Sequence, residues 1–201
     1  MRRIAARGLV PLSLVLVALG CLGLAPGIVQ PQELQALPVA WYAFEDPAAP
    51  GEDASGHNHG AAVTEATLGP GRVGQCLLLD GRGGLEIAST PLLQASDGFT
   101  IDCWIKLSSI GENFNIASKD GEYLLRVDPA GEGGNLSFFV NAGGQLEPRV
   151  RGIAVESDTW YHLVATWDGE TAILWVNGQE GPGFYRQLGG QNEKLEPGRT
   201  N

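Results

Sequence analysis

The sequence predicts an all-β fold of antiparallel strands, and three observations carry this prediction. Short apolar or alternating runs recur at even spacing between clusters of Gly, Asp, Asn and Pro. Glycine makes up 29 of the 201 residues without a Gly-X-Y period, which excludes a collagen helix and favours a domain rich in turns. Beyond the N-terminal segment, no stretch shows the apolar period of a capped helix.

The N-terminal segment has the pattern of an export signal. Three arginines within the first seven residues precede an uncharged run of 20 residues from Gly8 to Gly27, which is the order of a secretory signal. A retained membrane anchor is the alternative for a run of this length, but Pro11 and Gly20 weaken a spanning helix, so cleavage is favoured. The stretch Ala18-Leu-Gly-Cys21 loosely resembles a lipoprotein cleavage box, which leaves lipidation as a further alternative.

The predicted boundaries follow from this segment. We expect residues 1–25 to be a signal peptide or lipoprotein signal, residues 26–38 a linker and residues 39–201 one domain. Such a protein is exported, to the cell envelope or outside the cell, and touches a membrane only through its N-terminal segment. Removing residues 1–25 takes away three of 13 basic residues and none of 23 acidic ones, which leaves a net charge of −13. A chain this acidic repels nucleic acid, so no nucleic-acid partner is expected.

Ten runs predict the strands of the domain. They are Val39–Phe44, Cys76–Leu79, Leu85–Ile87, Phe99–Leu107, Phe114–Ala117, Tyr123–Val127, Leu136–Val140, Val150–Val155, Trp160–Trp167 and Thr171–Val176. Alternation is clearest in Phe99–Leu107 and Trp160–Trp167, so one face of each is expected to lie in a core. Asp168-Gly169 and Asn177-Gly178 predict hairpin turns with positive φ at both central residues. Gly81–Gly84 predicts a further turn.

Two cysteines of the predicted domain, Cys76 and Cys103, are a candidate disulfide in an oxidising compartment. The bond would close a loop of about 28 residues and contribute roughly 3.5 kcal/mol to stability. Two separate buried thiols are the alternative, and the sequence does not decide between the two.

Five stretches resemble, in order, the laminin-G-like, concanavalin A-like jelly-roll domain of secreted bacterial proteins. They are Trp41-Tyr-Ala-Phe-Glu-Asp46, Asp53-Ala-Ser-Gly-His-Asn-His-Gly60, Gly71-Arg-Val-Gly-Gln-Cys-Leu-Leu-Leu-Asp-Gly81, Gly98-Phe-Thr-Ile-Asp-Cys-Trp-Ile-Lys106 and the hairpin from Asp158 to Gly178. The resemblance implies a two-sheet antiparallel jelly-roll sandwich. It also implies a non-catalytic recognition or adhesion module, whose partner is a carbohydrate or a cell-surface protein.

The resemblance weakens towards the C-terminus. Members of this family usually end in a further strand with an Ile-Asp-Glu-Val-Arg-like stretch, and residues 179–201 do not resemble it. We therefore expect the jelly roll to lack its last strand. A structural segment of a longer surface protein is one alternative function for such a chain.

A divergent glycoside hydrolase on the same fold is the other alternative. Resemblance to the glucanases of this fold would require a Glu-x-Asp-x-x-Glu triplet, and Glu156-Ser-Asp158 supplies its first two acids. Tyr161 stands at the third position. The two acids also precede a strand in an expected turn, where acids are usually solvated. We therefore expect no catalytic residues and no enzyme.

Asp53 is the candidate ligand of a structural calcium ion. Domains that this chain resembles often carry Ca²⁺ near the Asp-x-Ser-Gly loop, and carboxylate oxygens suit this ion. The alternative is that Asp53 and Ser55 bond backbone groups within a turn. His57-x-His59 has the residue types of a zinc pair, but it lies in a Gly/Asn loop without a nearby cysteine, so a solvated turn is expected.

Three tryptophans, Trp104, Trp160 and Trp167, are candidate platforms for a sugar ring. The resemblance treats all three as framework, and core packing is therefore the stronger interpretation.

Overall fold

The computed structural model describes residues 38–94, 98–141 and 149–181 with their side chains, and residues 10–17, 184–188 and 191–195 through their backbone. In these ranges the chain forms fourteen strands and two short 3₁₀ turns, Pro91–Leu93 and Ala130–Glu132. The strands are β1 (Val10–Val17), β2 (Ala40–Tyr42), β3 (Ala61–Pro70), β4 (Gln75–Ile87), β5 (Phe99–Lys106), β6 (Phe114–Lys119), β7 (Tyr123–Val127), β8 (Asn135–Val140), β9 (Arg149–Ala154), β10 (Trp160–Trp167), β11 (Ala172–Val176), β12 (Gln179–Glu180), β13 (Phe184–Leu188) and β14 (Gln191–Leu195). No helix in the described residues is long and apolar enough to cross a bilayer.

Two antiparallel sheets form the domain, which confirms the predicted all-β sandwich. The larger sheet has eight strands in the order β12-β11-β10-β5-β1-β4-β3, with β2 paired to β1. The smaller sheet has four strands in the order β6-β7-β8-β9, and β13 and β14 form a separate hairpin. Neighbours in sequence are not always neighbours in the larger sheet, as expected for a jelly roll rather than a meander.

The core lies between the inner faces of the two sheets, and strand alternation sets it. Every second residue of β5 and β10 is buried, beginning with Phe99 in β5 and Tyr161 in β10. From the smaller sheet, Leu125, Leu136 and Phe138 are fully buried in the same cluster. Burying an aliphatic or aromatic side chain of this size stabilises a fold by roughly 1.5–3 kcal/mol. The faces predicted for the two alternating strands are therefore confirmed.

The long strand β4 differs from the prediction of two strands joined by a Gly81–Gly84 turn. The four glycine-rich residues lie within one strand that runs from Gln75 to Ile87. Its pairing with β3 jumps from Leu79–Ala66 to Gly84–Thr64, so residues 80–83 of β4 face the single residue Glu65 of β3. The predicted turn is a bulge, in which the extra residues bend a continuous strand.

The two predicted hairpin turns lie where expected, but only one has the predicted dihedral angles. Asn177 and Gly178 both have positive φ, at 52° and 77°. In the other turn, Gly169 has a φ of 94° whereas Asp168 is not among the positive-φ residues. Asp168 Oδ1 instead accepts hydrogen bonds from the N–H groups of Glu170 and Thr171. That turn is therefore closed by a side-chain oxygen rather than by a left-handed pair.

The candidate disulfide is not formed, since Cys76 and Cys103 are both buried and free. Cys103 belongs to the core, whereas on β4 the core residue is Leu77, so Cys76 lies on the opposite face of the sheet. β1 also lies between β4 and β5. The two strands are therefore two spacings apart, about 10 Å in total, which exceeds the reach of a disulfide. Burial raises the pKa of both thiols. The structure thus has the alternative arrangement, two separate buried thiols.

The first strand falls inside the predicted export signal. Val10–Val17 lies between β4 and β5 and pairs with both, as well as with β2. Its removal by a signal peptidase stays a prediction.

Candidate functional site

A cavity of about 430 Å³ opens at one edge of the sandwich, between the end of β4, the 3₁₀ turn Pro91–Leu93 and the edge strand β6. Ligand sites in proteins usually measure some 300–1,000 Å³, so this cavity is large enough for a small ligand or for the end of a longer one. Its apolar lining includes Leu79, Leu85, Ile87 and Leu93. Its polar lining includes Glu86, Ser89, Asn115, Ser118 and Lys119.

The bulge in β4 gives the cavity its shape. At Gly83 an added Cβ would lie 1.7 Å from the carbonyl oxygen of Thr64, so only glycine permits the close approach of β3 and β4 there. The next residue, Gly84, lines the cavity, and a Cβ added there would meet no atom within 4 Å. The space beside Gly84 is therefore open because this strand carries no side chain at that position.

Lys119 fixes the side of the cavity opposite β4. Its Nζ atom lies 2.9 Å from the carbonyl oxygen of Leu93 and 2.5 Å from Oε1 of Glu122. These contacts tie the 3₁₀ turn to the end of β6, so the two walls are joined by a charged group that is 19% exposed. Charge-assisted hydrogen bonds of this kind are stronger than neutral ones, which makes Lys119 a positioning group for the cavity wall.

Tyr123 supplies the aromatic ring of the cavity. Its ring packs against Phe99 of the core, with the centroids 4.7 Å apart. Burial raises the pKa of Tyr123 to about 12, and the Glu122 carboxylate adds to this effect. The hydroxyl group therefore stays protonated at neutral pH and can act as a hydrogen-bond donor.

The cavity combines an apolar floor and an aromatic ring with amide, hydroxyl and ammonium groups. A sugar has apolar C–H faces and a rim of hydroxyl groups, and each class of lining residue matches one of these. Glu86 is the carboxylate among the described residues that line the cavity.

Asp53, the candidate calcium ligand, lies in a separate closed loop. Its Oδ1 accepts hydrogen bonds from the N–H groups of Trp41 and Ser55, and its Oδ2 from the N–H of His59 and the Ser55 hydroxyl, all at 2.8–2.9 Å. The side chain is only 1% exposed. Burial opposes ionisation, but the hydrogen bonds outweigh it and hold the pKa of Asp53 at about 2.

These contacts favour a turn-bonding role for Asp53 over a calcium-binding one. The four donors direct their hydrogens at the lone pairs that a cation would need. Among the described residues, no group of three His, Cys, Asp or Glu side chains is placed to hold a metal ion. The residues around Asp53 therefore fit a role in closing the turn. Calcium binding at Asp53 stays a prediction.

The two loop histidines do not form a metal pair, and only one of them is solvated. His57 is exposed, whereas His59 is buried at 6% exposure. His59 Nδ1 lies 2.9 Å from the carbonyl oxygen of Val39, and Nε2 lies 3.0 Å from the Thr90 hydroxyl. Because a carbonyl only accepts, Nδ1 donates its proton to Val39. The expectation of a solvated turn was wrong for His59, which joins Val39, the residue before β2, to the segment beside the cavity.

The acids considered for glycoside hydrolysis lie away from the cavity. Glu156 and Asp158 are exposed in the turn before β10, as expected. Neither lines the cavity beside Gly84. The N–H of Glu156 donates to the Tyr161 hydroxyl at 3.0 Å, so the residue at the third triplet position helps to close this turn.

The three tryptophans divide between the two faces of the larger sheet. Trp167 is buried at 8% exposure, as expected for core packing. Trp104 and Trp160 are half-buried on the outer face, so core packing was the wrong interpretation for these two. Trp104 stacks on His162 with ring centroids 5.0 Å apart, and Lys106 Nζ lies 5.3 Å from the Trp160 ring. Their rings are already engaged by protein groups.

The cavity residues were missed by sequence reasoning. Serine, asparagine and lysine in short strands carry no distinctive spacing, and the cavity arises only when β4 and β6 from different sheets meet. A usable signal was present in Gly83-Gly84, because paired glycines inside a strand often mark a bulge or the close approach of another group.

Comparison with known proteins identifies the family. Residues 79–186 match the Laminin_G_3 family, described as the concanavalin A-like lectin/glucanases superfamily. This match spans more than half of the 201 residues, so the chain belongs to that family. The description covers lectins as well as glucanases, and membership alone does not decide whether the chain is an enzyme.

Two solved structures are similar to this chain. Domain 4 of AbnA, a GH43 extracellular arabinanase from Geobacillus stearothermophilus solved in complex with arabinotriose, is 18% identical with a TM-score of 0.57, over 77% of this chain and 76% of that one. At this identity the likeness shows the shared fold. A protein from Bacteroides ovatus ATCC 8483, to which carbohydrate binding has been assigned provisionally, is 16% identical over 90% of this chain and 61% of that one, and its TM-score of 0.37 supports no conclusion. No curated protein matches the chain.

Proposed function

We propose that this chain is an exported, non-catalytic carbohydrate-binding module whose sugar site is the cavity beside Gly84. The observation that carries the proposal is the composition of the cavity, in which the Tyr123 ring and aliphatic side chains stand beside Asn115 and two serines. Aromatic and apolar groups pack on the C–H faces of a sugar while amides and hydroxyls bond its rim.

The family and one solved relative support this proposal. The family is named for lectins and glucanases, both of which bind carbohydrate. AbnA domain 4, which shares the fold, was solved with arabinotriose. Arabinotriose is therefore the first ligand to test, followed by other neutral oligosaccharides. Neutral sugars are the better probes because the mature chain would carry a net charge of −13, which repels anionic polysaccharides.

The absence of catalysis is part of the proposal and rests on the placement of carboxylates. A glycoside hydrolase normally needs two carboxyl groups about 5–10 Å apart across the scissile bond. Among the described residues that line the cavity, Glu86 offers one. The neighbouring Glu122 is held by Lys119 in an ion pair at 2.5 Å, which favours a structural role for that carboxylate.

The glycine that opens the cavity also provides the test. In Gly84→Leu, the new side chain has free space at its Cβ and would occupy the cavity without a backbone clash. We expect the affinity for the bound oligosaccharide to fall at least about tenfold, because the sugar and the leucine compete for one space. Stability should be unchanged or higher, because glycine weakens a strand.

Gly131→Leu is the matched control. Gly131 also has no atom within 4 Å of an added Cβ, but it lies in the 3₁₀ turn Ala130–Glu132, outside the cavity lining. Calorimetric titration should show normal affinity for this variant. Equal affinity in both variants would reject the cavity as the site. If no oligosaccharide of the panel binds, the carbohydrate proposal is rejected and a cell-surface protein partner is favoured. If the protein hydrolyses a member of the panel, the non-catalytic role is rejected.

A further inference from the structure

The central position of the larger sheet is filled by the strand whose sequence has the pattern of a removable leader. β1 pairs with β5 over six residue positions, from Leu12–Ile105 to Val17–Thr100. On its other side it pairs with three residues of β4 and three of β2. In the part of the chain that the structure describes, β2 has β1 as its sheet partner.

Removal of the leader would therefore leave a gap in the middle of the sheet rather than at an edge. β5 and β4 would stand two strand spacings apart, about 10 Å, which is too far for direct hydrogen bonds. Ile101, Cys103 and Ile105 of β5, at most 1% exposed with β1 in place, form one wall of this gap. Tyr42 and Leu77, both at 0%, line the other wall. Unpaired strand backbone beside apolar side chains is a template for another strand.

We propose that the gap between β5 and the β2–β4 side of the sheet is a strand-acceptor groove, which binds an extended segment of another polypeptide once the leader is removed. Main-chain hydrogen bonds to β5 would provide affinity, and side chains at alternate positions would provide specificity. The proposal does not depend on sugar binding, although Leu79 of β4, which pairs with Val10, also lines the cavity beside Gly84.

The register of β1 defines what the incoming strand must look like. Positions 12, 14 and 16 pair with the core residues Ile105, Cys103 and Ile101, so the strand needs apolar side chains at three alternate positions. The intervening position 15 pairs with Asp102 on the outer face. The carboxylate of Asp102 is 36% exposed and lies 2.9 Å from Nε2 of His162.

The charge of Asp102 gives the groove a preference that the leader does not meet. Opposite charges at directly paired positions stabilise a sheet, and like charges destabilise it. The leader has Val15 opposite Asp102. A strand with arginine or lysine at this position would therefore bind better than the leader, and one with glutamate would bind worse.

A cleavable leader tests this proposal on the full chain. A protease recognition sequence is inserted into the predicted linker of residues 26–38, the folded protein is cut, and native mass spectrometry follows whether the leader fragment stays bound. Fluorescent peptides with the sequence of residues 8–19, either unchanged or with Val15→Arg, Val15→Glu or Leu14→Glu, are then offered as competitors. β5 also pairs with β10, so hydrogen exchange is followed at those amides of residues 100–105 that face the β1 position, and it reports whether this side of β5 is paired.

The proposal predicts that the cut fragment stays bound and is displaced by added peptide. The Val15→Arg peptide should bind about fivefold more tightly than Val15→Glu, from cross-strand charge pairing. The Leu14→Glu peptide should not bind, because position 14 is in register with the core residue Cys103, where a carboxylate is unfavourable. The proposal is also supported if the protein without its leader aggregates when the fragment leaves but stays soluble with the Val15→Arg peptide.

Three results would overturn it. In the first, the fragment leaves while the β5 amides that face the gap, rather than β10, remain protected, which would mean that the sheet closes without a donor strand. In the second, the Leu14→Glu peptide binds as well as the unchanged peptide. In the third, the protein without its leader aggregates and no peptide prevents the aggregation.

Discussion

The loop from Asp53 to Gly60 and the cavity beside Gly84 both concentrate polar side chains, but they direct them differently. In the loop, both carboxylate oxygens of Asp53 and both ring nitrogens of His59 already have partners within the protein. In the cavity, Asn115 and Ser118 line a space of about 430 Å³. The loop holds β2 in place, whereas the cavity has room for a ligand.

The difference shows why residue type alone is a poor guide to a binding site. The Asp-x-Ser-Gly pattern attracts attention because its side chains are good metal ligands, yet the same oxygens are equally good acceptors for the backbone N–H groups of a turn. The cavity carries no motif. Its site character comes from a bulge in one sheet facing an edge strand of the other, and both are products of packing.

The largest expected effect is on stability, at Asp53. Asp53→Asn replaces an ionised acceptor of four hydrogen bonds by a group that carries its own donors, which must face the same N–H groups. We expect unfolding by urea to show a loss of about 3 kcal/mol, with oligosaccharide affinity unchanged in the folded protein. If Asp53→Asn lost oligosaccharide affinity with little loss of stability, Asp53 would take part in sugar binding, and the loop and the cavity would form one site.

Asp46→Asn is the control for this variant. Asp46 is exposed, and its Oδ1 accepts one hydrogen bond, from the N–H of Ala48 at 2.8 Å. Its replacement should cost less than about 1 kcal/mol, as surface changes usually do.

The second effect, on acid stability, comes from the same carboxylate. The folded-state pKa of Asp53 is about 2 against an ordinary value of 3.8. Because the pKa is lower in the folded state, Asp53 stabilises the fold at any pH above its ordinary pKa. This contribution is lost as the pH falls from about 4 to about 2. The contribution is about 2 kcal/mol. Urea titrations between pH 5 and 2 should therefore show the wild-type protein losing its advantage over Asp53→Asn in this window. Parallel curves would contradict the account.

The smallest expected effect is that of calcium. A bound ion would stabilise the fold by about 2.7 kcal/mol at a hundredfold excess over its dissociation constant. We expect no shift of the unfolding midpoint between calcium and chelator, because the donors around Asp53 occupy the oxygens that the ion would need. A calcium-dependent shift that disappears in Asp53→Asn would confirm the calcium prediction and show that the loop rearranges.

Much of the fold follows from local sequence pattern. The alternation in β5 and β10 predicts which residues enter the core, and Asn177-Gly178 predicts its turn dihedral angles. The pattern fails where strands are irregular or weakly apolar. β3, with its alanines and its final Pro70, lies at the edge of the larger sheet, where low β-propensity and a proline are tolerated. The bulge in β4 depends on its pairing with β3, which no local window contains.

The candidate site was less predictable than the fold. The sequence shows that Asp53 and Ser55 can close a turn, but the choice between that turn and calcium needed the positions of Trp41 and His59. The disulfide pairing likewise depended on the strand that separates Cys76 from Cys103. The cavity joins Gly84 to Asn115 and Lys119, which both lie more than thirty positions further along the chain. Such contacts are set by the packing of two sheets.

Amide NMR spectra of the full chain, titrated with arabinotriose and then with other neutral oligosaccharides, test whether the cavity beside Gly84 is the sugar site. We expect saturable shifts at Gly84, Asn115 and Tyr123, with the amides of Asp53–Gly60 unchanged. Shifts confined to the Asp53 loop or to the outer face around Trp104, or no shift with any sugar, would contradict it.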